Sequence, residues 1–425
     1  MTKKKLLILG SNVGSVDIVE YAKELGAYTI VADYYPSEKS IAKQYADESV
    51  LISTADTEAL KSLIVEKKID CVLAGVSEFN LRQAEILSSY FHLPFYFNKE
   101  QWEIVENKGL FRKICQDVGV PTPQTYYIGS PNNVDYKRLK YPLIVKPTDS
   151  SSSRGVVICR TENDIEKAIL EAANNSLTNT IIIEEFFEGE EFTATYTIVN
   201  HQSFLSAIDN RLSVTLENGA TSIPILRLYP STFINEYIKK VDDKLKDLIS
   251  KLGIDVGTMF VQCFYNKVSN EFAVFEAGLR CAGEAPYRFL NIVNGVNYMK
   301  NIVEWTLCGK VLHYDSLKED PYLNGKKCAV LSFVSGGGKI EKIKGFKEVI
   351  SKCDSIVDAE CRYNEGAVIG QGNTLRQIVM RFVLVCKDIE ELQSSIQYIN
   401  KNVFVLDDSG KDICVRYCNK ISSTL

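Results

Sequence analysis

The sequence has few of the residues on which several kinds of chemistry depend. It contains only three histidines, His92, His201 and His313, and none lies near a Ser/Asp or Cys constellation, which disfavours triad hydrolysis. Its twelve cysteines show no Cys-x-x-Cys pair and no metal-ligand spacing, Cys414 and Cys418 coming nearest. We therefore expect reduced, mostly buried thiols rather than a metal centre or a disulfide framework.

Long apolar runs and an excess of positive charge are also missing. No apolar segment reaches the ~18 residues of a membrane span, and the strand at residues 6–9 is too short for a signal-peptide core. The 425 residues carry 49 Lys and Arg against 54 Asp and Glu, a net charge of −5, without the basic excess that binding to a phosphate backbone requires. These features predict a cytoplasmic protein with neither a membrane nor a nucleic-acid partner.

The length predicts two or three domains, and the first of them has a regular pattern. Strands and helices alternate over residues 1–97, which is typical of a doubly wound parallel sheet. The turn Gly10-Ser11-Asn12-Val13-Gly14 lacks Gly-x-Gly-x-x-Gly, so a turn without a nucleotide is favoured over a nicotinamide site. Ser77, Glu78 and Asn80 follow another strand and are weak candidates for substrate contact.

A hairpin with a small-residue tip is the most informative stretch, at residues 141–159. Two β-branched runs flank a loop of Thr148, Asp149, four serines, Arg154 and Gly155. Small residues allow backbone N–H groups to approach an anion, and Lys146 supplies a positive charge for a phosphate. Because Lys146 precedes the loop and a strand follows it, this is not a P-loop. The loop is either a polyphosphate cover or a mobile serine-rich tip beside a solvated lysine.

The hairpin, a helix at residues 162–174 and a strand at residues 180–183 make a unit of lid size. The two prolines of residues 119–123 mark a connection that leads into it. At its exit stands the segment Glu184-Glu185-Phe186-Phe187-Glu188-Gly189-Glu190-Glu191. Such a segment suits a purine and a ribose, although alone it would be an acidic solvated turn.

Two later strands bring possible metal ligands together. If the strands at residues 258–265 and 272–276 pair antiparallel, Gln262 and Glu276 can share one face and hold a cation bound to phosphate oxygens. Arg280 would then face a phosphoryl group in transfer.

Two other segments complete the prediction. We expect a helix over residues 102–115 that carries Asn107 and Lys108, and an irregular functional loop over residues 209–230 that contains Arg211 and Arg227.

With Lys108, Lys146, the serine-rich hairpin, the acidic segment and Glu276 to Arg280 in this order, the sequence resembles the ATP-grasp superfamily. Within it, the chain is most similar to the carboxylate–amine ligase and biotin-carboxylase-like branch, and to amino-acid ligases in particular. The resemblance implies a multidomain α/β and α+β protein. An ATP-grasp domain at residues 98–310, with a mobile lid at about 123–186, would follow the doubly wound domain of residues 1–97 and precede a β-rich closing domain at residues 311–425.

The same resemblance implies a role for individual residues. It assigns ATP phosphates to Lys108 and Lys146, the flexible cover to Ser150, Ser151, Ser152, Ser153 and Gly155, the adenine hinge to Glu184, Glu185, Phe186 and Phe187, and the ribose to Glu191. It assigns the metal to Glu276 and Gln262, and stabilisation of the transferred group to Arg280 together with Lys146.

The chain departs from the family pattern at two metal positions. The family has Glu-x-Asn-x-Arg where this chain has Glu276-Ala277-Gly278-Leu279-Arg280, and an acid where it has Gln262. An amide oxygen is a weaker ligand for Mg²⁺ than a carboxylate, so one or two ions remain possible.

The resemblance implies an ATP-dependent enzyme that converts a small-molecule carboxylate to an acylphosphate, releases ADP, and joins the acyl group to an amine. The alternatives are a bicarbonate-phosphorylating enzyme of the biotin-carboxylase or carbamoyl-phosphate type, and a non-catalytic nucleotide-binding protein. The absence of a biotin-carrier Met-Lys-Met and of a tandem repeat disfavours the bicarbonate alternatives. Small molecules are the expected partners, and a homodimer is an open alternative to a monomer.

Overall fold

The structure is a computed structural model, and it describes residues 3–150, 154–216, 222–372 and 374–421. The predicted cover residues Ser151, Ser152 and Ser153 lie outside these ranges. Within them, no helix has both the length and the apolar character needed to cross a membrane.

The first unit is a parallel sheet between helices, which confirms the doubly wound prediction. Its elements are β1 (Lys5–Leu9), α1 (Ser15–Glu24), β2 (Tyr28–Asp33), α2 (Ile41–Tyr45), β3 (Glu48–Leu51), α3 (Thr57–Lys67), β4 (Cys71–Ala74) and α4 (Glu78–Phe91). The strand order is β3-β2-β1-β4, all parallel. Helices cover both faces, so the central strand β1 is apolar and buried from Leu6 to Leu9. The Asp33 carboxylate accepts hydrogen bonds from the N–H groups of Ser11 and Tyr35, which closes the turn after β1.

Two short helices follow, α5 (Lys99–Glu106) and α6 (Lys108–Val118), where the sequence predicted one. The prediction is wrong at Asn107, whose side-chain oxygen accepts from the N–H groups of Gly109 (2.9 Å) and Leu110 (3.1 Å). An asparagine that caps a new helix ends the preceding one, because its backbone leaves the helical conformation. The break places Lys108 in the first turn of α6.

The unit predicted to be a lid, called the lid below, is a separate antiparallel sheet with one helix. It consists of β5 (Thr125–Gly129), β6 (Leu143–Pro147), β7 (Val157–Cys159), α7 (Ile165–Asn174) and β8 (Ile181–Glu185), in the strand order β5-β8-β6-β7. Antiparallel pairing of β6 with β7 confirms the predicted hairpin. The α7 helix covers the sheet and closes a small core that is distinct from the main one.

The central unit is a second antiparallel sheet packed on long helices. In chain order the elements are β9 (Glu190–Val199), β10 (Gln202–Ile208), β11 (Asn210–Val214), β12 (Ile223–Tyr229), α8 (Ile234–Tyr237), a π-helix (Ile238–Asp242), α9 (Asp243–Leu252), β13 (Gly257–Asn266), β14 (Glu271–Gly278), α10 (Tyr287–Asn294) and α11 (Tyr298–Cys308). Four of these strands form a sheet in the order β10-β9-β13-β14. One face is buried against the helices, and the partly exposed face of β13 and β14 presents Gln262 and Glu276.

The closing unit contains β15 (Lys327–Ser335), β16 (Gly338–Lys339), β17 (Lys342–Lys344), α12 (Phe346–Lys352), β18 (Ile356–Cys361), β19 (Val368–Ile369), β20 (Ile378–Cys386), α13 (Ile389–Asn402), β21 (Phe404–Leu406) and β22 (Cys414–Val415). Its main sheet, called the closing sheet below, has the order β11-β12-β15-β20-β18, with β22 also paired to β15.

Two strands of the closing sheet therefore come from a region that the sequence predicted to be an irregular loop. That prediction, for residues 209–230, is wrong: β11 pairs with β12, and β12 pairs with β15. Every residue of β12 is buried, since its apolar side chains contribute to the core of the closing unit. The closing sheet thus begins before the predicted boundary at residue 310.

Candidate active site

A buried charge cluster, here called the lid cluster, lies where the lid meets α6. Lys146 stands near the end of β6, and its ammonium group is 2.6 Å from the Glu184 carboxylate of the neighbouring strand β8. The guanidinium group of Arg112, from α6, donates to the other oxygen of Glu184. Arg112 also donates to the Phe275 carbonyl of β14 at 2.9 Å. One arginine therefore ties the lid lysine to the strand that carries Glu276.

The lid cluster contains two cations for one carboxylate. Glu184 and Arg112 are fully buried, and Lys146 is nearly so. Burial opposes the ionisation of Glu184, but the charges of Lys146 and Arg112 outweigh it and lower its pKa to about 2. Burial lowers the pKa of Lys146, although Glu184 acts in the opposite direction. An excess of positive charge in a buried, water-excluded part of the structure is suited to binding a phosphate group.

Lys108 lies beside the base of the serine-rich loop. Its ammonium group donates to the Ser150 carbonyl at 2.7 Å, and its backbone N–H donates to the Thr148 carbonyl at 2.9 Å. Asp149, between Thr148 and Ser150, accepts hydrogen bonds from the N–H and the hydroxyl of Thr178 at 2.8 and 2.6 Å. These contacts fix the first residues of the loop, so that Lys108 and Lys146 approach it from α6 and from β6.

Glu184, the first residue of the predicted adenine hinge, lies inside the lid sheet. That residue pairs with both neighbouring strands, opposite Thr125 and Ile144, and its side chain belongs to the lid cluster. Its backbone is therefore paired within the sheet and its carboxylate is a charge partner for Lys146, while its role at the adenine hinge stays a prediction. Glu185 is the last residue of β8 and pairs with Leu143, so the segment that leaves the sheet starts after it.

Past Glu185 the chain offers one backbone donor and an aromatic wall. The N–H groups of Glu185 and Phe186 donate to Gln124 and Pro142, whereas that of Phe187 donates to no other described residue. The Phe187 ring lies 6.3 Å from the Phe264 ring, which in turn stacks on Phe275 at 4.5 Å. Flat apolar rings beside a free donor are suited to a purine.

Glu191, the predicted ribose ligand, lies on β9 opposite Phe264. Its carboxylate forms an ion pair with Arg211 of β11 and also accepts from the Ser222 hydroxyl. It is therefore partly neutralised by the closing sheet, and its role with ribose stays a prediction.

The two predicted metal ligands lie directly opposite each other. Gln262 of β13 and Glu276 of β14 form a cross-strand pair, and Thr193 of β9 lies opposite Gln262 on its other side. The described residues contain no group of three or more His, Cys, Asp or Glu placed to hold a metal ion. One carboxylate and one amide oxygen fit Mg²⁺ only if other oxygens complete its shell, as in sites that bind Mg²⁺ together with nucleotide phosphates.

Arg280 joins the central unit to the first domain. Its guanidinium group donates to the Glu78 carboxylate at 2.6 Å and lies 4.8 Å from the centre of the Phe260 ring. Of the three weak candidates after β4, only Glu78 makes this contact. The Ser77 hydroxyl caps α4, and Asn80 is buried against Gly10.

The sequence did not predict the charge network of the closing sheet. Arg227 of β12 pairs with Asp209 at 2.5 Å and with Glu284 at 3.0 Å. Burial opposes the ionisation of Glu284, yet the charges of Arg227 and Arg381 lower its pKa to about 2. Glu284 follows Arg280 in the segment after β14, so the closing sheet contacts the same segment that supplies Arg280.

Comparison with known proteins agrees with this geometry. Residues 139–286 match the family described as "ATP-grasp domain". The formate-dependent phosphoribosylglycinamide formyltransferase of Prochlorococcus marinus (strain AS9601) is 32% identical over 200 residues, which cover 45% of this chain and 50% of the relative. That of Bacillus subtilis (strain 168) is 27% identical over 214 residues, which cover 48% and 54%. The chain thus spans about half the length of these curated relatives.

Solved structures extend the similarity to nearly the whole chain. The L-amino acid ligase from Bacillus licheniformis superposes with a TM-score of 0.75 at 19% identity, covering 94% of this chain and 98% of that one. The phosphoribosylglycinamide synthetase from Anaerococcus prevotii gives 0.75 at 20% identity, covering 95% and 99%. The fold is that of the ATP-grasp proteins. Within this fold, the segment at residues 139–286 is the part of the chain that matches the ATP-grasp domain family.

Proposed function

We propose that the chain is an ATP-dependent, ADP-forming ligase that activates a small-molecule carboxylate as an acylphosphate and transfers the acyl group to an amine. The observation that carries this proposal is the position of Arg112. It contacts Glu184, the partner of Lys146, and the carbonyl of Phe275, the neighbour of Glu276. This contact supports the proposal that the phosphate-binding candidates and the metal-binding candidates belong to one site.

In this proposal the ATP phosphates lie between Lys146 and Lys108 on one side and Glu276 with Gln262 on the other. Glu276 and Gln262 would hold Mg²⁺, which would supply the positive charge that neutralises phosphate oxygens in phosphoryl transfer. The chain's own contribution is alignment and charge, since no nucleophilic side chain is needed. Lys146 and Lys108 orient the phosphates, and Phe187 with Phe264 provides a wall for the base.

Arg280 and Glu78 are the pair we assign to the two substrates. Arg280 can hold the oxygens of the carboxylate and of the phosphoryl group in transfer, because a guanidinium group binds such oxygens in pairs. Glu78 is a carboxylate at the same place and can receive an amine, which reaches the site as an ammonium ion. The lid, at about residues 123–186, would close over the acylphosphate and exclude water.

The relatives support the class of reaction but not the substrates. Their names refer to formate and phosphoribosylglycinamide for the curated proteins, and to amino acids for the ligase of similar fold. The shared chemistry is attack by a carboxylate on ATP, followed by transfer of the acyl group to an amine. The two lysines, Glu276 and Arg280 are suited to this chemistry.

A screen of ADP release tests the proposal. Carboxylates, including formate, amino acids and bicarbonate, are crossed with amines in the presence of ATP and Mg²⁺. We expect ADP to form only when one carboxylate and one amine are combined. ADP release with bicarbonate alone would instead favour the bicarbonate-phosphorylating class, and AMP formation would contradict the proposal.

A further inference from the structure

The inner face of the closing sheet carries polar side chains in two adjacent cross-strand positions, which together are called the row below. Arg211 and Arg227 lie opposite each other on β11 and β12. Across the sheet, Arg381 of β20 lies opposite Ser332 of β15 on one side and Glu360 of β18 on the other. The next inward residue of β20, Val383, contributes to the main core rather than to the core of the closing unit. The row therefore faces the central unit.

The arginines of this row are not paired equally. Arg211 has Glu191, Arg227 has both Asp209 and Glu284, and Arg362, just after β18, has Glu360 at 3.2 Å. Arg381 forms no ion pair with any described residue. Its one hydrogen bond goes to the Gly283 carbonyl at 2.8 Å, and its Nε is buried without a partner among the described residues.

An unpaired guanidinium group is costly at this position. Arg381 is only 6% exposed, and burial, followed by the nearby charge of Arg362, lowers its pKa to about 10. The charges of Glu284 and Glu360 raise the pKa of Arg381 but do not outweigh burial, so the guanidinium group loses hydration that no direct ion pair replaces. Because Glu284 and Glu360 already form ion pairs with Arg227 and Arg362, a ligand with a negative charge is the expected partner of Arg381.

The hydrogen bond from Arg381 to the Gly283 carbonyl indicates where such a ligand would bind. Gly283 lies in the segment that begins at Arg280, the residue we assign to the transferred group, and continues to Glu284, which Arg227 holds. We propose that Arg381 is a substrate-binding residue that receives an oxyanion group, a carboxylate or a phosphate, on one of the two substrates. This inference rests on the proposed function, and it adds that one substrate is anionic at a point other than the reacting carboxylate.

The binding of two probe anions, inorganic phosphate and acetate, tests the proposal. Titration calorimetry is carried out on the full chain saturated with Mg²⁺ and AMP-PNP, so that the nucleotide's own phosphate positions are filled. We expect Arg381→Met to weaken binding of the preferred anion at least about tenfold, and Arg381→Lys to weaken it less, since lysine keeps the charge but not the planar fork. The anion that binds more tightly indicates whether the substrate group is a phosphate or a carboxylate.

Two controls separate this inference from the proposed function. Arg138→Met removes one positive charge from an 81% exposed arginine of the lid and should leave anion binding unchanged. The same anions are also titrated into the Lys146→Ala variant without nucleotide. This variant should no longer bind AMP-PNP, but it should still bind the preferred anion at Arg381. Loss of AMP-PNP binding by the wild type would contradict the proposed function, whereas the anion titration still reports on Arg381.

A measurement on the wild type covers the case in which Arg381→Met does not fold. Phosphate or acetate should slow amide exchange in the peptides over residues 279–286 and 378–386 when AMP-PNP is bound. No slowing with either anion, or equal anion affinity in wild type and Arg381→Met, would overturn the proposal. Failure of the wild type to bind either anion up to about 50 mM would do the same.

Discussion

Buried cations are paired with carboxylates in different ways in the lid cluster and in the closing sheet. In the lid cluster, Lys146 and Arg112 share the single carboxylate of Glu184, so the wall is positive overall. At the closing sheet, Arg227 forms ion pairs with two carboxylates, whereas Arg381 forms none with any described residue. An anion with several charges suits the first arrangement, and a single oxyanion suits the second. How the charges are paired, rather than how many there are, therefore indicates what each region binds.

Glu276 follows Phe275, whose carbonyl accepts from Arg112 of the lid cluster, and its loss should have the largest effect. Glu276→Gln removes the only carboxylate of the proposed metal pair, so we expect turnover to fall by at least about 10³-fold with the fold intact. Steady-state ADP release measures the loss. Glu271→Gln, an exposed position on the same strand, is the control and should be silent. If Glu276→Gln leaves Mg–ATP binding and turnover intact, the metal site lies elsewhere.

The lid cluster should depend on Glu184 for stability. Glu184→Gln leaves two buried cations without a carboxylate, which should cost about 3–5 kcal/mol of unfolding free energy at neutral pH. Because the folded pKa is about 2, below the ordinary value of 4.5, this stabilisation is present above about pH 4.5 and is lost as the pH falls towards 2.

Urea unfolding at several pH values measures this effect. The difference between wild type and Glu184→Gln should shrink on acidification, while Glu188→Gln, an exposed neighbour, should match the wild type throughout. A difference that does not change with pH would show that Glu184 acts through packing and not through its charge.

Lys146→Ala should separate binding from stability within the lid cluster. It leaves Glu184 paired with Arg112, so the fold should lose less than with Glu184→Gln. We expect ATP binding and turnover to weaken by about 2–4 kcal/mol of transition-state stabilisation. Calorimetry with Mg–ATP and ADP-release assays measure this, with the exposed Lys140→Ala as control. Unchanged nucleotide affinity in a folded variant would refute the role of Lys146.

The smallest expected effect is at Gln262. Because a carboxylate binds Mg²⁺ better than an amide oxygen, Gln262→Glu opposite Glu276 should tighten Mg²⁺ binding in the presence of ATP by about tenfold. Titration of Mg²⁺ at fixed ATP measures the change. Gln202→Glu adds the same charge at an exposed position on β10 and should not alter it. Weaker Mg²⁺ binding by Gln262→Glu would argue against a metal between these strands.

The sequence predicted the parts of the site that are local. The hairpin of β6 and β7 follows from its β-branched runs and small-residue tip, and the opposed Gln262 and Glu276 follow from strand spacing. It did not predict that Arg112, in a helix, contacts Glu184 and Phe275, since nothing in the pattern of α6 marks a partner so distant in the chain. Nor did it identify β11 and β12, whose pairing depends on the much later strand β15.

Transfer of labelled oxygen tests the central claim, formation of an acylphosphate, most directly. The carboxylate of an active substrate pair is labelled with ¹⁸O on both oxygens, and the products are analysed by mass spectrometry. The proposed reaction cleaves one carbon–oxygen bond of the acylphosphate, so one labelled oxygen should appear in the released phosphate and the other in the amide product. Unlabelled phosphate, or AMP in place of ADP, would contradict the account.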